Sequence, residues 1–300
     1  MIPSEQPAPD QSPFLCIGAM HWDYIGVADQ VLSAGEDVPG KVVRRPGGVA
    51  LNVAIGLARA GHLVSLCGAV GDDAEGADLL AAATQCGVNC DMCLRLAGHG
   101  TGRYVAVEDG SGQMIGAVAD TRLASQAGDV LVQAVRHDLS GQTTLVAEAN
   151  LGADQLAALA NIARDRGLVL MVNPVSPVLS LRLERLVNEG RPLELVANLA
   201  EANALLSDRH TDTTSAAAAL IARGLSAALI TKGKDPVALA TRSGVLSGEP
   251  KAVVARNVTG AGDALMAGYL SCADRQLYPA NALETALDWA HRHLAANGAP

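Results

Sequence analysis

Aromatic side chains are nearly missing from this 300-residue chain, which has one Phe, two Trp and four Tyr. Packing therefore falls to Ala, Val, Leu and Gly, a composition that suits helices laid close on a sheet better than an aromatic-rich β-sandwich. Runs of positive charge are missing too. Lys and Arg number 22 against 31 Asp and Glu, a net charge of −9, and nothing in the chain could track phosphates along a nucleic-acid polymer. No apolar stretch approaches the roughly 18 residues that a membrane crossing requires. The opening MIPSEQPAPDQSP has neither the basic nor the apolar segment of a signal peptide, so 1–13 read as a disordered tail ahead of a single unit over 14–300. Cysteine is scarce and scattered: among Cys16, Cys67, Cys86, Cys90, Cys93 and Cys272 only Cys90 and Cys93 form a C-x-x-C. No second pair stands at zinc-ligand spacing, which favours free thiols. The expected setting is reducing and cytoplasmic.

What is present is alternation. From residue 14 onward short apolar runs take turns with helical patterns. FLCIGAM (14–20), LVSLCGAVG (63–71), TTLVAEAN (143–150), LVLMVN (168–173), LELVAN (193–198) and AALITKG (227–233) read as strands, and GGVALNVAIGLARAG (47–61) as a helix closed by its glycine. Strands separated by helices predict an α/β fold, a doubly wound and mostly parallel sheet covered on both faces. Two stretches break the pattern, 24–46 and 98–122. The second contains a hairpin over 101–120, with Asp109-Gly110-Ser111-Gly112 between two period-2 strands. They predict a small antiparallel layer at one edge of the main sheet, a β lid.

Open α/β sheets bind ligands beyond the carboxyl ends of their strands, so polar residues at strand ends are the candidates. The first strand runs into Met20-His21-Trp22-Asp23, where a carboxylate either receives two neighbouring sugar hydroxyls or opens a turn. Gly47-Gly48 make a tight turn, and Asn52, about one helical turn on, either returns to the same place or lies on an exposed face. Asn173 ends its strand before Pro174. Asn198-x-x-Glu201 suits a hydrated Mg²⁺, which needs few protein ligands, and fits a capping box equally well. Thr231 and Gly233 offer a hydroxyl and bare backbone to phosphate oxygens, or a simple turn.

The most telling stretch is Thr259-Gly-Ala-Gly-Asp263, directly before the apolar ALMAGYL. Successive N–H groups of Gly260, Ala261 and Gly262 at a helix N-terminus form a nest for an anion. An acid beside such a nest opposes phosphate binding, unless Asp263 must take a proton from a hydroxyl attacking a phosphoryl group held there. A plain first-turn acid is the other reading.

In order and spacing, Asp23, Gly47-Gly48-x-x-x-Asn52, Asn198-x-x-Glu201, Thr231-x-Gly233 and Thr259-Gly-Ala-Gly-Asp263 resemble the PfkB/ribokinase family of carbohydrate and nucleoside kinases, over about 14–295. The resemblance implies a ribokinase-like domain whose β lid mediates a homodimer, with ATP and Mg²⁺ as cosubstrates and K⁺ as an activating ion. It implies Asp263 as catalytic base and Gly260, Ala261 and Gly262 as the anion hole. Asp23, Gly47, Gly48, Asn52, His21 and Asp120 would contact the acceptor, a small nucleoside or sugar. Asn198, Thr231, Gly233 and Thr259 would contact ATP, Glu201 would hold the magnesium waters, and Asn257 would belong to the monovalent-cation site. Asn257-Val258-Thr259, Asn173-Pro-Val-Ser176 and the hairpin ending Ala117-Val-Ala-Asp120 resemble members that phosphorylate the 5′-hydroxyl of pseudouridine. Ribose, fructose and other nucleosides are the competing acceptors, and a binding protein without turnover is the reading from another class. A dinucleotide-dependent oxidoreductase is disfavoured, because no G-x-G-x-x-G follows the first strand. Two positions depart from the family pattern: His21 stands where Asn is usual, and Pro236 where Gly commonly ends the Thr-x-Gly-x-x-Gly run.

Overall fold

Aliphatic runs make the strands and Ala-rich stretches make the helices in the computed structural model, which describes residues 13–33, 35–139, 141–253, 258–272 and 274–298. Residues 1–12 of the expected tail, and Asn257 with its expected cation role, lie outside the described residues. In chain order the strands are β1 (Phe14–Gly18), β2 (His21–Ala28), β3 (Gly40–Gly47), β4 (Val64–Gly71), β5 (Leu94–Leu96), β6 (Arg103–Glu108) and β7 (Met114–Asp120). There follow β8 (Thr144–Glu148), β9 (Val169–Asn173), β10 (Glu194–Asn198), β11 (Ala227–Lys232), β12 (Asp235–Thr241) and β13 (Gly244–Gly248).

Nine strands form the main sheet, in the order β13-β12-β11-β10-β9-β8-β1-β4-β5. Every neighbouring pair from β5 across to β11 is parallel, and β11, β12 and β13 close that end as antiparallel hairpins. Because side chains alternate along a strand, β1 feeds two cores: Leu15 and Ile17 enter one apolar layer, Phe14 and Cys16 the other. Leu131, Leu156 and Leu220 cover the first face from their helices. Leu51, Leu79 and Leu265 cover the second. This is the doubly wound α/β sheet that the alternation predicts. The winding reverses between β1 and β8, with β4 on one side of β1 and β8 on the other, and a crevice opens at such a switch point.

The four remaining strands form a separate sheet, in the order β3-β2-β6-β7. The expectation of an antiparallel layer at an edge of the main sheet is corrected on two counts. The β2–β6 pair is parallel, although β2–β3 and β6–β7 are antiparallel. The small sheet also springs from an interior strand, since β2 begins three residues after β1 ends, so it rises beyond the carboxyl end of the main sheet. Trp22 Nε1 and Tyr24 Oη anchor it to the helix Ala74–Gln85 by donating to the Glu75 carbonyl and carboxylate at 2.9 and 2.6 Å. All six cysteines are free thiols. Among the described residues no helix is long and apolar enough to cross a membrane.

Candidate active site

Gly260 takes φ +84 and caps the helix Ala261–Ser271, a backbone conformation open to glycine at little cost. His293, on the helix Pro279–Gly298, lies against this turn, its Nε2 2.9 Å from the Thr259 carbonyl. Among the described residues, the N–H groups of Gly262 and Asp263 have no backbone acceptor, as expected of a first helical turn. Ala261 differs from the expected nest: its N–H donates to the Val258 carbonyl at 3.2 Å and is spent inside the turn. A Cβ added to Gly262 would meet no heavy atom within 4 Å. The fold therefore has no steric need for glycine there, and the bare backbone faces open space between two cavities.

Asp263 follows in the first turn and is buried. Burial pushes its carboxyl up to about 7, and the nearby Glu148 and Asp23 carboxylates add to the rise. Asn52 works against it, donating from Nδ2 to Asp263 Oδ2 at 2.8 Å. Asn52 is presented by the helix Val49–Arg59, whose N-cap Gly48 sits at φ +101 with Ala19 too close to admit a side chain. Gly47 has a supporting place, because a Cβ on it would overlap the Asp23 carboxylate.

Asp23 and His21 are buried neighbours on one face of β2. Their Oδ1 and Nδ1 atoms stand 3.0 Å apart but out of hydrogen-bond alignment, so both remain for another partner. Arg45 Nε lies 3.6 Å from Asp23 Oδ2. His21, Asp23, Gly48, Asn52 and Asp263 line one cavity of about 650 Å³, and Asn173, Asn198, Glu201, Thr231 and Thr259 also reach it. Asp120 does not. In β7 it is Ala119 that faces this cavity, so the next residue points the other way. Asp120 instead pairs with Arg122 at 2.9 Å and lines a different groove, which corrects the expected acceptor contact.

At the end of β10 the capping box is real: Asn198 Oδ1 accepts from the Glu201 N–H and Glu201 Oε2 accepts from the Asn198 N–H, each at 2.9 Å. It uses one carboxylate oxygen of Glu201 and leaves Oε1 for the cavity. Burial raises this carboxyl above its usual range. Among the described residues no three His, Cys, Asp or Glu side chains gather as a metal cage, and Mg²⁺, which keeps several waters and binds phosphate, does not require one. The free oxygen of Glu201 fits such an outer role.

A second cavity, about 670 Å³, lies between the β11–β12 turn and the last helix. Gly233, Lys234, Leu265, Leu287 and His291 line it, and Thr231, Val258 and Gly262 belong to both cavities. Pro236 leaves its strand in place, with its carbonyl accepting from Thr213 Oγ1 at 2.8 Å. Two cavities thus meet at the turn that carries Asp263.

Sequence reasoning misses Val175, Tyr104 and Thr121 in the lining of the first cavity and Glu148, which is buried near Asp263 without reaching that lining. Glu148, at the carboxyl end of β8, accepts from the Ala19 N–H at 2.6 Å and from Asn150 at 2.8 and 2.6 Å, and burial raises its carboxyl. The strand-end rule could have found it, as an acid closing an apolar strand. Val175, at φ +67 beyond β9, is a β-branched residue in the left-handed region, with its N–H donating to Asn173 Oδ1 at 2.7 Å. Tyr104 and Thr121 also line the first cavity and carry no motif.

The description pfkB family carbohydrate kinase matches residues 13–295. Pseudouridine kinase of Escherichia coli is 31 % identical over 261 residues, covering 85 % of this chain and 82 % of that protein. A carbohydrate kinase from Agrobacterium tumefaciens has a similar structure, with a TM-score of 0.74 at 27 % identity over 92 % of this chain and 89 % of that one. A ribokinase II from Escherichia coli in complex with ATP and Mg²⁺ reaches a TM-score of 0.79 at 16 % identity over 96 % of each chain, a likeness of fold.

Proposed function

Because the chain belongs to the pfkB family of carbohydrate kinases and has their ribokinase-like fold, we propose that it transfers the γ-phosphoryl group of ATP to the 5′-hydroxyl of a nucleoside, pseudouridine. The observation that carries this reading is Asp263, a buried carboxyl raised to about 7 where two cavities join. The second cavity takes ATP, with its apolar wall against the base and Thr231, Gly233 and Lys234 near the phosphates. The first takes the acceptor, whose sugar hydroxyls meet Asp23 and Asn52. Asp263 accepts the proton of the attacking hydroxyl, a contribution typically worth about 10²–10⁴-fold. The N–H groups of Gly260 and Gly262 and the helix dipole behind them stabilise the transferring phosphoryl group. Mg²⁺, when bound, neutralises charge on the phosphates, and Glu201 would hold its waters.

Residues 14–300 then act as one kinase unit with lid segments about 24–46 and 98–122, in the cytoplasm where ATP is supplied. Pseudouridine as the acceptor is supported by the E. coli relative, by Asn173-Pro-Val-Ser176 and by the 101–120 hairpin. ADP release measured with pseudouridine, inosine, cytidine, ribose and fructose tests the acceptor. Pseudouridine should have the highest kcat/KM. A value ten or more times higher for ribose or inosine would move the acceptor and leave the kinase intact. No ADP with any of them would favour a binding protein without turnover.

A further inference from the structure

Tyr104 is, among the described residues, the one Phe, Tyr or Trp that lines the first cavity. The others serve the fold or the surface: Phe14, Trp22 and Tyr269 are buried in the core, and Tyr24 is tied to Glu75. Strand register places Tyr104 directly opposite Asp23 on one side and Ala119 on the other. Carboxylate, ring and methyl therefore form one cross-strand row on the face that looks into the cavity. The tyrosine hydroxyl leans 3.9 Å from Met114 Sδ, so the ring is what the cavity meets. The methyl of Ala119 leaves space beside it, and the His21 ring stands 6.4 Å away, tilted by 37°.

We propose that Tyr104 is the platform on which the acceptor's base stacks, which makes this cavity a site for nucleosides in preference to free sugars. The inference rests on the acceptor site assigned above. If Asp23 holds the 2′- and 3′-hydroxyls, the base hangs from the next carbon of the sugar. Neighbouring strands are about 4.8 Å apart, and of the two residues one strand over from Asp23, Arg45 and Tyr104, Tyr104 is the one that lines the cavity, within reach of a group on that carbon. A free sugar presents a hydroxyl there, which an apolar ring does not reward. A planar base presents a π-face, which it does.

The test compares Tyr104→Phe, Tyr104→Leu and Tyr104→Ala with the parent. Steady-state kinetics use pseudouridine and ribose as acceptors, and calorimetry measures pseudouridine binding without ATP. Loss of the ring should raise the nucleoside KM and Kd about tenfold or more in both the Leu and Ala variants, the scale of base–aromatic stacking. Their kcat and their KM for ribose should stay within about twofold, because Asp263 and Asp23 are untouched. Tyr104→Phe should match the parent. Tyr104→Leu keeps bulk without a π-face, so if it behaves like Tyr104→Phe, stacking is overturned. An equal loss with ribose would overturn it as well, by making Tyr104 a general support of the lid. A parent active on nucleosides but indifferent to Tyr104 sinks the platform alone, whereas a parent that uses only free sugars sinks the nucleoside reading and the platform together.

Discussion

A carboxyl raised to about 7 is protonated in acid and able to accept a proton only above neutrality. If Asp263 is the base, kcat should climb about tenfold per pH step of one below 7 and level off above it. Asp263→Asn should lower kcat by at least about a hundredfold and abolish that limb. The raised carboxyl has a consequence for stability too, with a definite sign. Between the ordinary value of 3.8 and about 7 the folded chain holds a proton that the unfolded chain has released, so this group's contribution falls as pH rises. Asparagine cannot ionise and keeps an oxygen for Asn52. Denaturant midpoints of Asp263→Asn and parent should therefore be close at pH 4. They should separate in favour of the variant by pH 8, by at most about 4 kcal/mol, because a tenfold change in proton affinity is worth roughly 1.4 kcal/mol. A flat pH profile, or a variant keeping more than half its kcat, would return Asp263 to a helix-start residue.

Each strand of the main sheet hands its end to a helix or turn, and the local chemistry of those junctions serves two purposes at once. Asn198 and Glu201 satisfy two orphan N–H groups as a capping box, and Glu201 also faces the cavity. Glu201→Gln separates the roles, because glutamine keeps an oxygen for the Asn198 N–H and loses the charge. Stability should stay within about 1 kcal/mol, the net scale of a hydrogen bond. The Mg²⁺ concentration for half-maximal rate should rise about tenfold or more, as for other residues that act on a metal through its outer shell. Unchanged Mg²⁺ dependence would leave Glu201 as a cap only. The small sheet also serves two sides. One face carries Asp23, Tyr104 and Ala119, and the other carries Val42, Val105, Val107 and Val118, exposed by 75, 46, 37 and 72 %.

Such a row of exposed valines on a sheet is a cost to a monomer and an asset to an assembly. If the lid mediates a homodimer, light scattering should give twice the chain mass of 30.6 kDa. Val105→Lys with Val118→Lys should give monomer with unchanged circular dichroism. A monomeric parent at tens of micromolar would remove the dimer. The rest of the molecule explains why the site lies where it does. The winding reverses between β1 and β8, and the crevice above their ends is where Asp23, Asn52 and Asp263 come together from segments up to 240 residues apart along the sequence (263 − 23).

Period and turn chemistry are local, and they are enough for the α/β alternation, for the helix that Gly61 closes, and for polar residues at strand ends such as Asn198 and Thr231; Asp23, expected where the first strand ends, lies inside β2 instead. Gly260 to Asp263 stand out for the same reason: glycines and an acid before an apolar helix are unusual in any context. Pairing between strands is not local. Nothing along the chain indicates that β2 runs parallel to β6, so neither the separate small sheet nor the row Asp23–Tyr104–Ala119 is legible in the sequence. Facing depends on register to a single residue, which is why the family resemblance points to Asp120 where Ala119 occupies the site. Glu148 carries a strand-end signal as an acid closing β8, but the contacts from Ala19 and Asn150 that close around it come from the fold. The Ala261 N–H reads as free until the turn geometry gives it to Val258. Residue types and their spacing along the chain settle which chemistry is available; non-local strand pairing and one-residue register settle which of those groups share a cavity.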